Sequence, residues 1–122
     1  MKNPVGWFEI YVQDMKRAQS FYEKVFGTTF SALPSPGMQM MQFQAEQGGM
    51  GCTGALVQMA GVGSGGGGTL VYFMCDDCAV EAGKATSAGG SVHKEKGSIG
   101  EHGFIALVTD TEGNMIGLHS MK

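Results

Sequence analysis

A run of eight residues, Gly61-Val62-Gly63-Ser64-Gly65-Gly66-Gly67-Gly68, contains six glycines and divides the chain near its middle. Glycine loses more backbone freedom on ordering than any other residue, and nothing in this run can fill a core, so it reads as a linker or long loop. Whatever packs must therefore be built from the segments of roughly 55 residues on either side. Segments of that length are marginal alone, so the halves are expected to share a core or to pair with another subunit.

The two halves carry the same pattern. Val5 to Val12 reads as a strand, with Phe8, Ile10 and Val12 on one face and Trp7, Glu9 and Tyr11 on the other. The first face is apolar and suits packing on a helix, while the second is amphipathic and suits a cavity wall. Asp14 has the character of an N-cap. Ala18, Phe21, Tyr22, Val25 and Phe26 then recur at helical spacing until Gly27, so the spacing predicts a helix over Met15 to Phe26. Thr28 to Leu33 is β-prone and ends at Pro34. Met38 to Gln44 alternates, with Met38, Met40 and Gln42 set against Gln39, Met41 and Phe43. Thr53 to Met59 is a further short strand.

The second half repeats the plan. Thr69 to Met74 reads as a strand, and Asp76 or Asp77 caps a helix that Gly89 and Gly90 end. Ser91 to Lys96 is a polar strand, Ile99 to Gly103 a loop and Phe104 to Thr109 a buried strand. Asp110-Thr111-Glu112-Gly113-Asn114 has turn chemistry before a last strand, Met115 to His119. The order is βαβββ twice. An offset of 62 residues lays Asp14 on Asp76 and Gly27 on Gly89. The expected organisation is one domain made of a first module over 1–60, the linker over 61–68 and a second module over 69–122.

This arrangement resembles the vicinal oxygen chelate superfamily, which includes glyoxalase I, extradiol dioxygenases and bleomycin resistance proteins. The resemblance rests on Phe8-Glu9-Ile10-Tyr11-Val12-Gln13-Asp14 running into Arg17-Ala18, Phe21-Tyr22 and Val25-Phe26-Gly27. It rests also on Ala88-Gly89-Gly90, and on the Asp110 to Asn114 turn, which looks like the family's Asp-Pro-Asp-Gly-Asn. The fold it implies is α+β, two βαβββ modules in tandem forming a cup-shaped mixed sheet. It also implies a divalent metal in the cup, held by His, Glu or Gln from the first and last strand of each module and chelating two neighbouring substrate oxygens.

Carried over position by position, those ligands fall poorly. The first-strand ligand, seven residues before the capping Asp, lands on Trp7. Its counterpart lands on Thr69, or on Leu70 if the offset is 63. The last-strand glutamate lands on Gly117, and the fourth position, near Gly54 to Val57, offers no donor. These are not side chains that hold Zn, Ni or Fe. No cofactor is expected at the family positions, and a divalent metal would need a relocated site.

Such a site would use Glu9 and His119, each two residues beyond a family position and expected to face the cup. One carboxylate and one imidazole could bind metal or shuttle a proton; the plainer reading is a hydrogen-bonded Glu9 in a damp cavity and a His119 near the rim. Trp7 and Tyr11 flank Glu9 and could stack on a planar ligand, with Met38, Met40 and Met115 as an adaptable apolar wall; ordinary core packing is the alternative for all five. His102 sits on a loop that could close over the cup. His93, among Lys94, Glu95 and Lys96, reads as solvated. Cys75-Asp76-Asp77-Cys78 lies at a helix start, where a thiol pKa is lowered, so redox activity is conceivable. The glycine run lacks the lysine and hydroxyl of a phosphate-binding loop and precedes a strand rather than a helix.

Composition closes off several classes. The net charge of -3 without a basic block argues against nucleic acid as a partner. No apolar stretch approaches the ~18 residues of a membrane span, so no membrane association is expected. Three cysteines and an N-terminus without an apolar leader segment point to a cytoplasmic protein with reduced thiols. Two functions compete. The first is a metal-free protein that binds a small aromatic or amphipathic molecule, with Glu9 pairing to a ligand cation or donor. The second is a lyase, isomerase or dioxygenase-type enzyme using Glu9, with His119, with or without metal. An interaction module whose cup is filled by its own side chains is a third. A homodimer is expected in each case.

Overall fold

The computed structural model describes residues 3–122. Its elements follow the order β1 (Val5–Tyr11), α1 (Met15–Phe26), β2 (Phe30–Leu33), β3 (Gln39–Phe43), β4 (Gly54–Gln58), β5 (Thr69–Met74), α2 (Cys78–Ser87), β6 (Ser91–Ser98), a short 3-10 turn (Gly100–His102), β7 (Phe104–Thr109) and β8 (Met115–Ser120). This is the expected βαβββ plan twice over, an α+β fold. Two compact units result: Trp7–Thr69, and residues 3–6 with Leu70–Lys122. No helix among the described residues is long and apolar enough to cross a membrane.

In the first unit the strands lie in the order β2-β3-β4-β1, with β1 parallel to β4 and the other pairs antiparallel. Asp14 begins α1 as expected, its carboxylate accepting from the Arg17 N–H at 3.1 Å. Gln58 adds a second cap, its Oε1 accepting from the Met15 N–H at 2.9 Å. Gly27 ends the helix in the left-handed conformation, at φ 66°, which glycine adopts without a steric cost. Val12, Met15 and Leu56 form the buried centre under α1, joined by Ile10, Ala18, Tyr22, Met41 and Phe43. Phe43 anchors an aromatic cluster, with ring centroids 5.5 Å from Phe8, 5.6 Å from Tyr22 and 4.7 Å from Phe30.

The apolar residues of α1 do not all face this core. Phe21, Val25 and Phe26 are exposed, Phe26 by 70%. Five apolar positions over nine residues span more than one helical face, and Ala18 and Tyr22 take the face that meets the sheet.

The glycine run is docked as well as permissive. The Gly68 carbonyl accepts from the Tyr11 N–H at 2.7 Å, and Gln13 Nε2 donates to the Val62 carbonyl at 3.0 Å. These bonds tie both ends of the run to the end of β1.

In the second unit the order is β5-β8-β7-β6, with β5 parallel to β8. Cys78, Ala82, Ala106, Val108 and Leu118 are its buried centre, with Phe73 and Phe104 packed around them. Asp77 is the N-cap of α2, accepting from the Ala79 N–H at 3.0 Å, and buried Ser120 accepts from the Cys78 N–H at 3.0 Å. Lys96 departs from the solvated strand expected of β6. Its ammonium pairs with Asp77 at 2.9 Å and lies 4.7 Å from the Phe104 ring centroid. That pairing, with the Ala79 N–H, holds the Asp77 carboxyl below the usual carboxylate range.

The two capping aspartates, Asp14 and Asp77, are 63 residues apart, so the modules repeat by 63 and the expected match of Asp14 with Asp76 is corrected. Leu70, buried, is then the counterpart of Trp7. Thr69 is exposed and, by alternation with Phe73, lies on the strand face that meets α2.

Candidate ligand-binding site

On β1, Ile10 and Val12 pack under α1, so alternation turns Trp7, Glu9 and Tyr11 to the face away from the helix. Glu9 is only 8% exposed. Trp7 Nε1 donates to its Oε2 at 3.2 Å, and Tyr11 Oη donates to its Oε1 at 2.7 Å. Each carboxylate oxygen therefore accepts one hydrogen bond from a neutral donor two residues away. The strand period makes this trio possible, because side chains at i and i±2 stand on one face about 7 Å apart.

Strand register supplies the rest of that face. Glu9 pairs with Ala55, and Ala55 with Gln42. Tyr11 pairs with Val57, and Val57 with Met40. Ala55 and Val57 are fully buried. On the β4 side of Glu9 stands the Ala55 methyl group, and one strand further the Gln42 carboxamide. Met40 joins the Tyr11 end of this face. Ala55 and Gln42 were not foreseen as site residues. The alternation along β3 groups Gln42 with Met40, but only pairing shows that they share a face with Glu9.

A surface depression of about 470 Å³ in the same unit is lined by Val12, Gln13, Met38, Gln58 and Met59, and Glu9 does not line it. Gln39 lines it too, while Gln13 is bonded to the Val62 carbonyl and Gln58 to the start of α1.

In the second unit, Leu118 packs under α2, which turns Gly117 and His119 to the other face of β8. His119 Nε2 lies 2.6 Å from the His102 carbonyl. A carbonyl only accepts, so Nε2 carries the proton of this bond. The expected loop residue His102 thus meets His119 through its backbone, while its imidazole is exposed and 3.6 Å from Glu101. Met115 begins β8 and is exposed. His93 is exposed on β6, as expected.

The resemblance put the metal ligands at four places in this chain. Trp7, Leu70, Gly117 and the stretch around Ala55 present an indole, an alkyl chain, no side chain and a methyl group. This set does not fit a divalent metal. Among the described residues no three His, Cys, Asp or Glu side chains are grouped to hold one.

Of the two clustered cysteines, Cys75 does not have the lowered thiol pKa that a helix start favours. Burial, the Glu81 carboxylate and neighbouring Cys78 push the Cys75 thiol up to about 11. Cys78 is completely buried. A helix N-terminus lowers a thiol pKa only where desolvation and like charge do not outweigh it.

The model of the Glyoxalase/Bleomycin resistance protein/Dioxygenase superfamily matches residues 5–118, and the chain belongs to that superfamily. No curated protein matches the sequence. Among solved structures, methylmalonyl-CoA epimerase from Mycobacterium tuberculosis is 16% identical with a TM-score of 0.70, over 98% of this chain and 88% of that one. A variant of the Streptomyces coelicolor methylmalonyl-CoA epimerase, in complex with 2-nitronate-propionyl-CoA, is 14% identical with a TM-score of 0.71, over 97% and 96%. A hypothetical protein from Bacillus halodurans is 12% identical with a TM-score of 0.75, over 100% and 96%. At these identities the likeness is one of fold.

Proposed function

We propose that this chain is a small-molecule-binding member of its superfamily, and that the ligand lies on the face of β1, β4 and β3 that carries Trp7, Glu9, Tyr11, Met40 and Gln42. The observation that carries this reading is the buried Glu9 carboxylate, held by one neutral donor on each oxygen. Burying a carboxylate is costly, and a sheet face needs none to fold, so its presence between two aromatic rings supports a recognition role. The family metal positions lack donors, which favours recognition by organic contacts over chelation. The reading includes a homodimer, supported by the exposed Phe21, Val25 and Phe26 flank of α1.

Trp7 is the only tryptophan, so its emission reports on this face alone. Titration with a panel of amphipathic aromatic compounds is expected to yield ligands that shift Trp7 emission saturably, with affinity reduced in Tyr11→Phe and Met40→Ala. A ligand that binds by calorimetry while leaving Trp7 emission and both variants unaffected would place recognition elsewhere and sink the proposal.

A further inference from the structure

We infer that the depression at the C-terminal ends of β1 and β4 is a second binding site, separate from the Glu9 face, and that its ligand is an uncharged cyclic amide or lactam with a donor and an acceptor on one edge.

Three strand ends build the depression. Gln13 lies just beyond β1, Met59 to Gly61 follow β4, and Met38 precedes β3. Because β1 is parallel to β4 and β3 runs against it, these ends fall at one edge of the unit. The volume of about 470 Å³ lies within the ~300–1,000 Å³ of small-molecule sites. The site is open to solvent: Gln13, Gln39 and Met59 are exposed, and Met38 and Gln58 are half-buried. Gly61, at φ 84°, turns the chain after β4, and the Val62 N–H donates back to the Met59 carbonyl at 3.2 Å. The start of the glycine run is thereby one wall of the site, and the Gln13 bond to Val62 holds it there.

Three carboxamides line this depression, and two are oriented by their partners. Gln13 meets a carbonyl, so its Nε2 is the engaged end and its Oε1 remains as an acceptor. Gln58 meets the Met15 N–H, so its Oε1 is engaged and its Nε2 remains as a donor. Gln39 stands directly across from Gln58 in the β3–β4 register and brings both groups. A carboxamide pairs with a donor–acceptor edge through two hydrogen bonds at once, as glutamine does with adenine. Met38 and Met59 supply adaptable apolar walls that suit a compact ring. None of the described residues that line the depression carries a charge. An ion seated there would lose water without meeting an opposite charge. The adjoining hollow of about 380 Å³ adds Asp14 and Lys16, one charge of each sign, and the Asp14 carboxylate is committed to the Arg17 N–H.

Three rings of similar size separate the possibilities: δ-valerolactam, its N-methyl derivative, which lacks the donor, and piperidinium, which is charged. Each is titrated into isotope-labelled protein and followed by the backbone and side-chain amide signals. The lactam is expected to shift the side-chain amides of Gln39 and Gln58 and the backbone signals of Gly37 and Gly61 saturably. It should bind about three- to tenfold tighter than the N-methyl derivative, the worth of one neutral hydrogen bond. Piperidinium should bind about tenfold more weakly than the lactam, or not at all. Gln39→Leu should bring the lactam down to its N-methyl derivative, and Met59→Ala should weaken both; both side chains are exposed, so the fold tolerates their loss. Equal binding of lactam and N-methyl lactam, a lactam preference that survives Gln39→Leu, or a preference for piperidinium would overturn the ligand class. Shifts confined to Trp7, Glu9 and Tyr11, or no saturable shift at millimolar concentration, would overturn the site. The Glu9 face is tested by Trp7 emission with aromatic ligands, so the two readings fail separately.

Discussion

The ring of Tyr72 occupies the space that a side chain at Gly117 would require. The two residues face each other across the parallel β5–β8 pair, and a Cβ on Gly117 would run into the Tyr72 ring. Gly117 stands where the family resemblance puts a metal-binding glutamate. Here the position is closed by packing, so restoring a ligand would require more than one substitution.

Gly117→Ala is therefore expected to destabilise the protein by roughly 1–3 kcal/mol through overpacking. The loss should shrink markedly in a Tyr72→Ala background, since the two positions share one space. Urea unfolding of the double-mutant cycle measures this. Additive losses would mean that Tyr72 is not what excludes the side chain.

The two hydrogen bonds of the Glu9 trio can be weighed by substitution. Tyr11→Phe removes the shorter of its two hydrogen bonds and is expected to cost about 1–3 kcal/mol, the range for bonds to a charged group. Glu9→Leu, which removes the acceptor and the charge together, should cost less than that if the carboxylate is kept for recognition rather than stability. A larger loss for Glu9→Leu would argue for a structural carboxylate.

Titration with Zn, Ni, Mn or Fe at micromolar levels is expected to show no tight site, because Trp7, Leu70, Ala55 and Gly117 offer no donors. Stoichiometric metal, weakened by both Glu9→Gln and His119→Ala, would reveal a relocated site and revive the enzymatic alternative.

Cys75 gives a pH dependence with a definite sign. Its folded pKa, about 11, is raised above the model-peptide value of 9.0. The folded state therefore holds this proton more tightly than the unfolded state does. The resulting stability is complete below about pH 9 and is lost as pH rises toward 11. Glu81→Gln should flatten that loss. Alkylation at neutral pH should modify exposed Cys52 first, Cys75 slowly, and Cys78 only on unfolding. Rapid modification of Cys75 would refute the raised value.

Sedimentation at micromolar concentration is expected to show a dimer rather than a 12.8 kDa species. Phe26→Lys should shift the balance toward monomer if the exposed flank of α1 is the contact. A monomer in the wild type would remove the homodimer from the proposal.

Local chemistry made the order of elements legible in the chain. Asp14 and Gly27 bracket α1 by capping and by a left-handed backbone, and period-2 alternation put Trp7, Glu9 and Tyr11 on one face before any partner strand was known. These are properties of residues within a few positions of one another. Tertiary structure alone decided what those residues meet. It chose Asp77 over Asp76 as the cap and so Leu70 over Thr69 as the counterpart of Trp7. It set Ala55 and Gln42 beside Glu9, turned Phe21 and Phe26 outward, and raised the Cys75 pKa that a helix start would lower. For Cys75 the reason is its own burial beside Glu81 and Cys78; for the others it is pairing and packing across the sheet. Register, burial and charge proximity join residues tens of positions apart, and the alternation of a strand states which side chains share a face without stating what lies across it.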